Sequence, residues 1–201
     1  MLRVGLTGSI AVGKTFVCEV FRELGCYVLD ADKTARDVVR KGTPGLGKIV
    51  SEFGEGVLTP DGELDRPKMA AIVFGDEKVR LLLNSIVHPL VFESQNAWLA
   101  EREKEDPKGI AIVDAALMIE SGGYRRFDKL IVVWCDPAIQ FERLIKRDGL
   151  SEVDAKKRIA SQMPQEDKKR YADLLIDTSG SFEATRIQCR QVHSKLLEFA
   201  R

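Results

Sequence analysis

The stretch Leu2-Arg3-Val4-Gly5-Leu6-Thr7-Gly8-Ser9-Ile10-Ala11-Val12-Gly13-Lys14-Thr15 decides how this chain folds. Its first half is short and apolar and runs into a glycine, as a buried strand does. Its second half, Gly8 to Thr15, fits G-x-x-x-x-G-K-[ST] at every defined position. Beyond Lys14 the residues Val17, Val20, Phe21 and Leu24 recur at helical spacing, and Gly25 suits the left-handed position that ends a helix. A strand, a glycine-bearing turn and a helix make the setting in which such a loop binds phosphate. Gly8 and Gly13 let the backbone bend so that successive N–H groups converge on an anion, and the helix start adds the positive end of its dipole. Lys14 reaches the β- and γ-phosphates, and the Thr15 hydroxyl is a ligand for Mg²⁺.

Outward from this loop the alternation continues. Tyr27–Asp30 reads as a second strand, and Asp32 precedes a helical stretch with Ala35, Val38 and Val39 on one face and Gly42 as its stop. Ile110–Val113, Leu130–Trp134 and Leu174–Ile176 read as three more strands. The expected fold class is therefore α/β: a five-stranded parallel sheet flanked by helices. Between Gly42 and Gly109 there is no strand pattern. Leu46–Phe53, Arg66–Phe74, Val79–Ile86 and Leu90–Glu105 have helical periodicity, with Pro44, Gly54, Pro67, Gly75 and Pro89 as punctuation. That region reads as a helical insertion within one domain. A charged helical stretch spans Gln140 to Arg170, and Val192, Leu196, Leu197 and Phe199 mark a closing helix.

With 201 residues the chain is long enough to bury a core without staples. Hydrophobic residues are 44% and charged residues 31%, which excludes a disordered or collagenous chain. Lys+Arg and Asp+Glu are both 31, so zero net charge argues against a nucleic-acid-coating protein. The longest strongly apolar run, Leu130–Cys135, is too short to span a bilayer, and no leader-like segment opens the chain; a cytoplasmic protein with no membrane partner is expected. Cys18, Cys26, Cys135 and Cys189 lack C-x-x-C spacing and read as buried thiols. Oligomeric state is not legible.

A GTPase would carry N-K-x-D, which is absent; Asp106-Pro107-Lys108-Gly109 matches D-x-x-G but precedes a strand instead of following one. A small kinase remains. Asp32, just past the second strand, lies at the sheet edge that carries the loop. It can orient or deprotonate an attacking hydroxyl, or simply cap the helix from Lys33. Asp30 and Asp114, at two strand ends, can order metal waters or cap locally. Arg143 and Arg147 are four apart on one helix face and can cover phosphate oxygens, or face solvent beside Glu142 and Asp148.

Taken in order, these residues resemble the dephospho-coenzyme A kinase family over nearly the whole chain. Gly5-Leu6-Thr7-Gly8 leads into the loop, and Val28-Leu29-Asp30-Ala31-Asp32 with Ala35-Arg36 is similar to the family's second-strand signature. Phe53-Gly54, Asp61-Gly62, Leu64-Asp65-Arg66, Leu83-Asn84, His88-Pro89, Gln140-x-x-Arg143-x-x-x-Arg147-Asp148, Gln162, Ala172-Asp173 and Ile176-Asp177 follow. The resemblance implies ATP-dependent phosphorylation of the ribose 3′-hydroxyl of dephospho-CoA. It implies a P-loop NTPase core (1–31, 110–138 and 171–201), a helical acceptor-binding insertion (32–109) and a helical lid (139–170). It makes Asp32 the general base, Arg143 a catalytic cation beside Lys14, and Asp32, Arg66 and His88 the acceptor-binding set. Nucleotide is assigned to Gly8, Ala11, Val12, Gly13, Lys14, Thr15, Phe16 and Arg147, and Mg²⁺ to Thr15. Two departures stand out. The family's Pro-Leu-Leu-Phe-Glu is Ala116-Leu117-Met118-Ile119-Glu120 here, and its Asn after the last Ile-Asp is Thr178, which removes an expected adenine contact.

Overall fold

The computed structural model describes residues 1–200. Five strands form one sheet: β1 (Leu2–Thr7), β2 (Tyr27–Asp30), β3 (Ile110–Asp114), β4 (Lys129–Trp134) and β5 (Leu174–Asp177). All pairings are parallel and the order is β2-β3-β1-β4-β5. The helices are α1 (Lys14–Glu23), α2 (Ala31–Asp37), α3 (Pro44–Phe53), α4 (Arg66–Phe74), α5 (Glu77–Glu105), α6 (Pro137–Asp148), α7 (Glu152–Ala160), α8 (Gln165–Lys169) and α9 (Phe182–Phe199). The chain divides into two compact units, one of Met1–Asp30 with the chain from Glu101 onward, the other of Ala31–Ala100.

The first unit is built on the sheet. Buried on both faces, the inner strands β3, β1 and β4 read as apolar runs without alternation, while the edge strands β2 and β5 are half-buried. Val4 and Leu6 of β1, Ile112 of β3, Ile131 and Val133 of β4 and Ile176 of β5 pack with Val17 and Phe21 of α1 and Cys189 and Leu196 of α9. Each large apolar side chain taken fully from water contributes about 1.5–3 kcal/mol, so this cluster is what fixes α1 against the strand before it. On β1, Gly5 leaves room for the turn after β3: a Cβ there would stand 2.6 Å from Met118 Sδ. All four cysteines are buried free thiols, as expected. Asp106–Gly109 is a turn entering β3, with Gly109 N donating to Asp106 O, and so is no nucleotide-reading element. Among the described residues no helix is long and apolar enough to cross a membrane.

The second unit is helical, as the absence of strand patterning predicts. Thr43 caps α3 by accepting from Leu46 N at 3.3 Å, and Asp65 caps α4 by accepting from Lys68 N at 3.0 Å. Between them a tight turn pairs Leu58 with Leu64. Val39, Ile49, Val57 and Met69 form the core, covered by Leu83, Ile86 and Val87 of α5.

The structure corrects two boundaries. Helix α2 ends at Asp37, so the β-branched pair Val38-Val39 lies in the turn beyond it and Gly42 is not its stop. Val79–Ile86 and Leu90–Glu105 are not separate helices: α5 runs unbroken through Pro89. Proline there removes the N–H that would serve the Ser85 carbonyl. Ser85 is exposed, so water can satisfy that carbonyl. His88 therefore lies mid-helix. Pro89→Ala restores the missing bond and is expected to raise unfolding stability by about 1–3 kcal/mol. Urea denaturation followed by circular dichroism measures it, and a loss of stability would show that the proline is needed for packing.

Candidate active site

The phosphate loop joins β1 to α1. Gly13 precedes α1 with φ 85°, and Ala11 has φ 60°, the one positive φ outside glycine among the described residues. A left-handed alanine costs about 1–2 kcal/mol, a strain of the kind that accumulates where function dictates backbone shape. Gly8 is required for a different reason. A Cβ on it would stand 2.3 Å from the Val133 carbonyl oxygen and 2.9 Å from Val12 Cγ2, so the loop leaves β1 pressed against β4.

Side chains from distant parts of the sequence hold the outer atoms of this turn. Gln140 Nε2 donates to Ile10 O at 2.8 Å, and Ile10 N donates to Gln162 Oε1 at 2.7 Å. Gln165 Nε2 donates to Gln140 Oε1 at 2.8 Å, while Gln165 Oε1 accepts from Cys135 N at 3.0 Å. Thr178 Oγ1 donates to Val12 O at 2.7 Å. Arg143 then grips Thr178 twice, donating to its Oγ1 at 3.1 Å and its backbone oxygen at 2.8 Å. Thr178 is buried and serves the loop backbone, which is the use to which this departure from the family's Asn is put.

Beside the loop lies a cavity of about 380 Å³, bounded by Ser9, by Ala11 through Thr15, and by Arg143, Lys146 and Arg147 of α6. Four of these residues are cations and none is acidic, so the cavity suits a polyanion. Lys14 Nζ lies 3.7 Å from Asp114 Oδ1, with both side chains largely shielded from solvent. Asp114 ends β3 in register with Asp30 at the end of β2. Burial pushes the Cys18 thiol far up, and the Asp114 carboxylate adds to the effect, so Cys18 stays protonated behind the loop. Arg147 donates to both oxygens of Asp148, at 2.7 and 3.1 Å, and Arg158 joins at 2.9 Å. Those arginines hold the Asp148 carboxyl below its usual range.

The expected nucleotide set thus gathers in one place, with two exceptions. Gly8 does not line the cavity but presses against β4 at Val133, and the Phe16 ring meets Phe182 edge-on at 4.7 Å between centroids. In the helical unit Asp32 is exposed in the first turn of α2, a helix that already begins at Ala31, so it is not the cap. Arg36 Nε donates to the Asp32 carbonyl at 3.1 Å, and Arg66 donates to the Arg36 carbonyl at 3.1 Å, which brings Arg66 to α2. His88 instead neighbours Phe92, ring to ring at 6.1 Å. Hard oxygen donors suited to Mg²⁺ are present in the Thr15 hydroxyl at the start of α1 and the Asp114 carboxylate. Of the loop supports Gln165 carries no spacing signal, and the sequence marked Gln140 and Gln162 only by family resemblance.

A parallel sheet in this order, with a Gly-Lys-Thr loop between β1 and α1 and a cationic cavity over it, defines a P-loop kinase. The dephospho-CoA kinase family model matches residues 2–184, and the chain belongs to that family. It is 45% identical over 199 residues to the dephospho-CoA kinase of Shouchella clausii, covering 99% of each chain. It is 44% identical to that of Aquifex aeolicus, covering 98% of each. The dephospho-CoA kinase structure from Campylobacter jejuni superposes with a TM-score of 0.74 at 28% identity, covering 99% of this chain and 98% of that one.

Thr178→Val keeps shape but deletes the hydroxyl. It leaves the Val12 carbonyl unpaired and removes one Arg143 contact, so a stability loss of about 1–3 kcal/mol is expected. Chemical denaturation measures it; stability unchanged within error would show that the hydroxyl does not support the loop.

Proposed function

We propose that this protein transfers the γ-phosphoryl group of ATP to the ribose 3′-hydroxyl of dephospho-CoA, giving CoA and ADP, the final step of CoA synthesis. The observation that carries this reading is the cavity over the loop, whose four cations with no carboxylate among its lining fit a triphosphate, in a chain of this family. The loop amides and the α1 N-terminus hold the phosphates, and Lys14 neutralises charge at the β–γ bridge. Arg143, already fixed by Thr178, presents its guanidinium at the cavity without needing to be ordered during the reaction. Arg147, at the solvent side, is assigned to the nucleotide. Thr15 and Asp114 are the donors for Mg²⁺, whose chemistry in such a site is neutralisation of phosphate charge.

The acceptor is assigned to the helical unit, through Asp32, Arg66 and His88. Asp32 follows Asp30 by two residues, and Asp30 lies level with Asp114 at the sheet edge that carries the loop. In the transfer the 3′-oxygen attacks the γ-phosphorus, the bond to the β–γ bridging oxygen breaks, and ADP departs with that electron pair. The hydroxyl proton passes to the Asp32 carboxylate. Residues 139–170 act as the lid.

Asp32→Asn is expected to keep ATP affinity and to slow transfer by roughly 10²–10⁴. ADP formation with ATP, Mg²⁺ and dephospho-CoA measures it, and turnover within a few-fold of the parent would refute the base assignment. Lys14→Ala is expected to weaken both ATP binding and turnover; ATP affinity by calorimetry left unchanged would contradict the reading of the loop.

A further inference from the structure

One buried cation plays no part in the reading above. Lys168 is fully buried, a rare place for an ammonium group. Its Nζ donates to the Ala116 carbonyl at 2.8 Å and lies 2.9 Å from Glu120 Oε1. Met163 N donates to that same carboxylate oxygen at 3.1 Å. The Ala116 carbonyl also accepts from Thr7 Oγ1 at 3.2 Å, and Thr7 is the last residue of β1 before the phosphate loop. Ala115 N donates to Leu6 O at 3.0 Å, carrying the β1–β3 ladder past Asp114. Further along the same segment, Gln162 takes Ile10 N.

The stretch from Gln162 to Lys168 therefore holds two walls at once: the phosphate loop at Ile10, and the turn after β3 at Ala116 and Glu120. The first wall runs on into Lys14 and the second begins at Asp114, and those two side chains meet at 3.7 Å. Desolvation pushes the Lys168 pKa down and the Lys14 charge adds to that, while Glu120 opposes it. An apolar side chain would fill the space without this cost. What it could not do is donate to the Ala116 carbonyl.

We propose that Lys168 is a positioning residue for phosphoryl transfer: it fixes the Ala116 carbonyl against Thr7, which places Asp114 and so sets the Lys14 ammonium for the charge that develops on the transferring group. The inference rests on the loop being the ATP site. Such a role acts on kcat more than on ATP binding, because a displacement of about 1 Å can cost 10²-fold in rate while the loop amides still hold nucleotide.

Four proteins test it: the parent, Lys168→Met, Lys168→Arg and the double variant Lys168→Met/Glu120→Gln, each assayed well below its own melting temperature. Lys168→Met is expected to lower kcat at least 10-fold with KM for ATP within about 3-fold, and Lys168→Arg to recover part of the loss. In the double variant no carboxylate is left without its cation, so thermal stability returns while kcat stays low. A pair that only stabilises the fold predicts the opposite, activity returning together with stability. A kcat within twofold of the parent in Lys168→Met, or in the double variant, overturns the proposal. Should Lys168→Met fail to fold, the double variant decides alone by the same criterion. ADP release without acceptor, where water takes the phosphoryl group, is compared across the same proteins. A parent active on water but silent with dephospho-CoA refutes the acceptor assignment, and the order of the variants on water still decides for or against Lys168. No ADP release in either assay refutes both.

Discussion

A backbone turn between a strand and a helix has no ladder of its own, and the rest of the sheet unit is arranged around that deficit. Strands and helices stabilise themselves by pairing every amide with a carbonyl. The turn from Gly8 to Gly13 cannot, and it carries in addition a left-handed alanine and a glycine pressed onto the next strand. Its shape is imposed from outside. The carbonyls of Ile10 and Val12 and the amide of Ile10 are each met by a side chain from the last third of the chain. These bonds are partly or wholly buried, where losing one partner costs the full desolvation of the other. Hence the glutamines and Thr178, which touch no reacting atom, bear on where the loop amides point.

The same logic governs charge. The chain is neutral overall, yet the cavity gathers Lys14, Arg143, Lys146 and Arg147. Repulsion within such a set is managed by unequal means. Lys14 has Asp114 nearby and Arg147 has Asp148, so part of each charge is answered before any ligand arrives. Arg143 is held by a hydroxyl and a carbonyl, neutral groups that fix its direction and leave its charge available. Of the cations this is the one the protein has both oriented and left unneutralised by its hydrogen-bond partners. That combination is what electrostatic preorganisation requires, since an oriented charge needs no rearrangement as the reaction proceeds.

The sheet was readable because short apolar runs ending at glycine or aspartate state their own length, and all five strands lie within a residue of where the pattern puts them. The phosphate loop was readable because its chemistry forces residue types at fixed spacing. Pro89 misled, because punctuation by proline is a local rule and an exposed Ser85 carbonyl lets a helix pass through it. Asp32 read equally well as a cap or as a base, and only the start of α2 at Ala31 removes the first. What the loop's supports would bond to was unreadable for another reason. Periodicity tells which face of a helix is buried; it does not tell which atom a buried amide will meet 130 residues earlier, as Gln140 meets Ile10. Lys168 is the extreme case. In Gln165-Glu166-Asp167-Lys168-Lys169-Arg170 nothing in the sequence separates the fully buried lysine from the half-covered Lys169 or the exposed Arg170.

These ties also grade the stability of the segment that follows β4. At its start, Gln140 and Leu144 are buried and Arg143 is bound to the end of β5. At its end, Gln162, Met163, Gln165 and Lys168 are each bonded to the phosphate loop, β3's turn or the end of β4. The middle is held differently. Helix α7 buries a single residue, Ala155, and a methyl group contributes only about 0.8 kcal/mol. Its links to α6 are the ion pair of Arg158 with Asp148 and Lys156 over the Phe141 ring at 5.7 Å, and the pair of Lys156 with Glu152 lies within α7; surface pairs of this kind contribute little and are screened by salt. Gly149, with φ 63°, separates this stretch from α6. A segment anchored by buried polar bonds at both ends and by weak surface pairs between them opens first in its middle, at α7. Of the cavity's cations, Arg143 is held by Thr178 and so does not depend on α7, whereas Arg147 shares the Asp148 carboxylate with Arg158 of α7 and is tied to it.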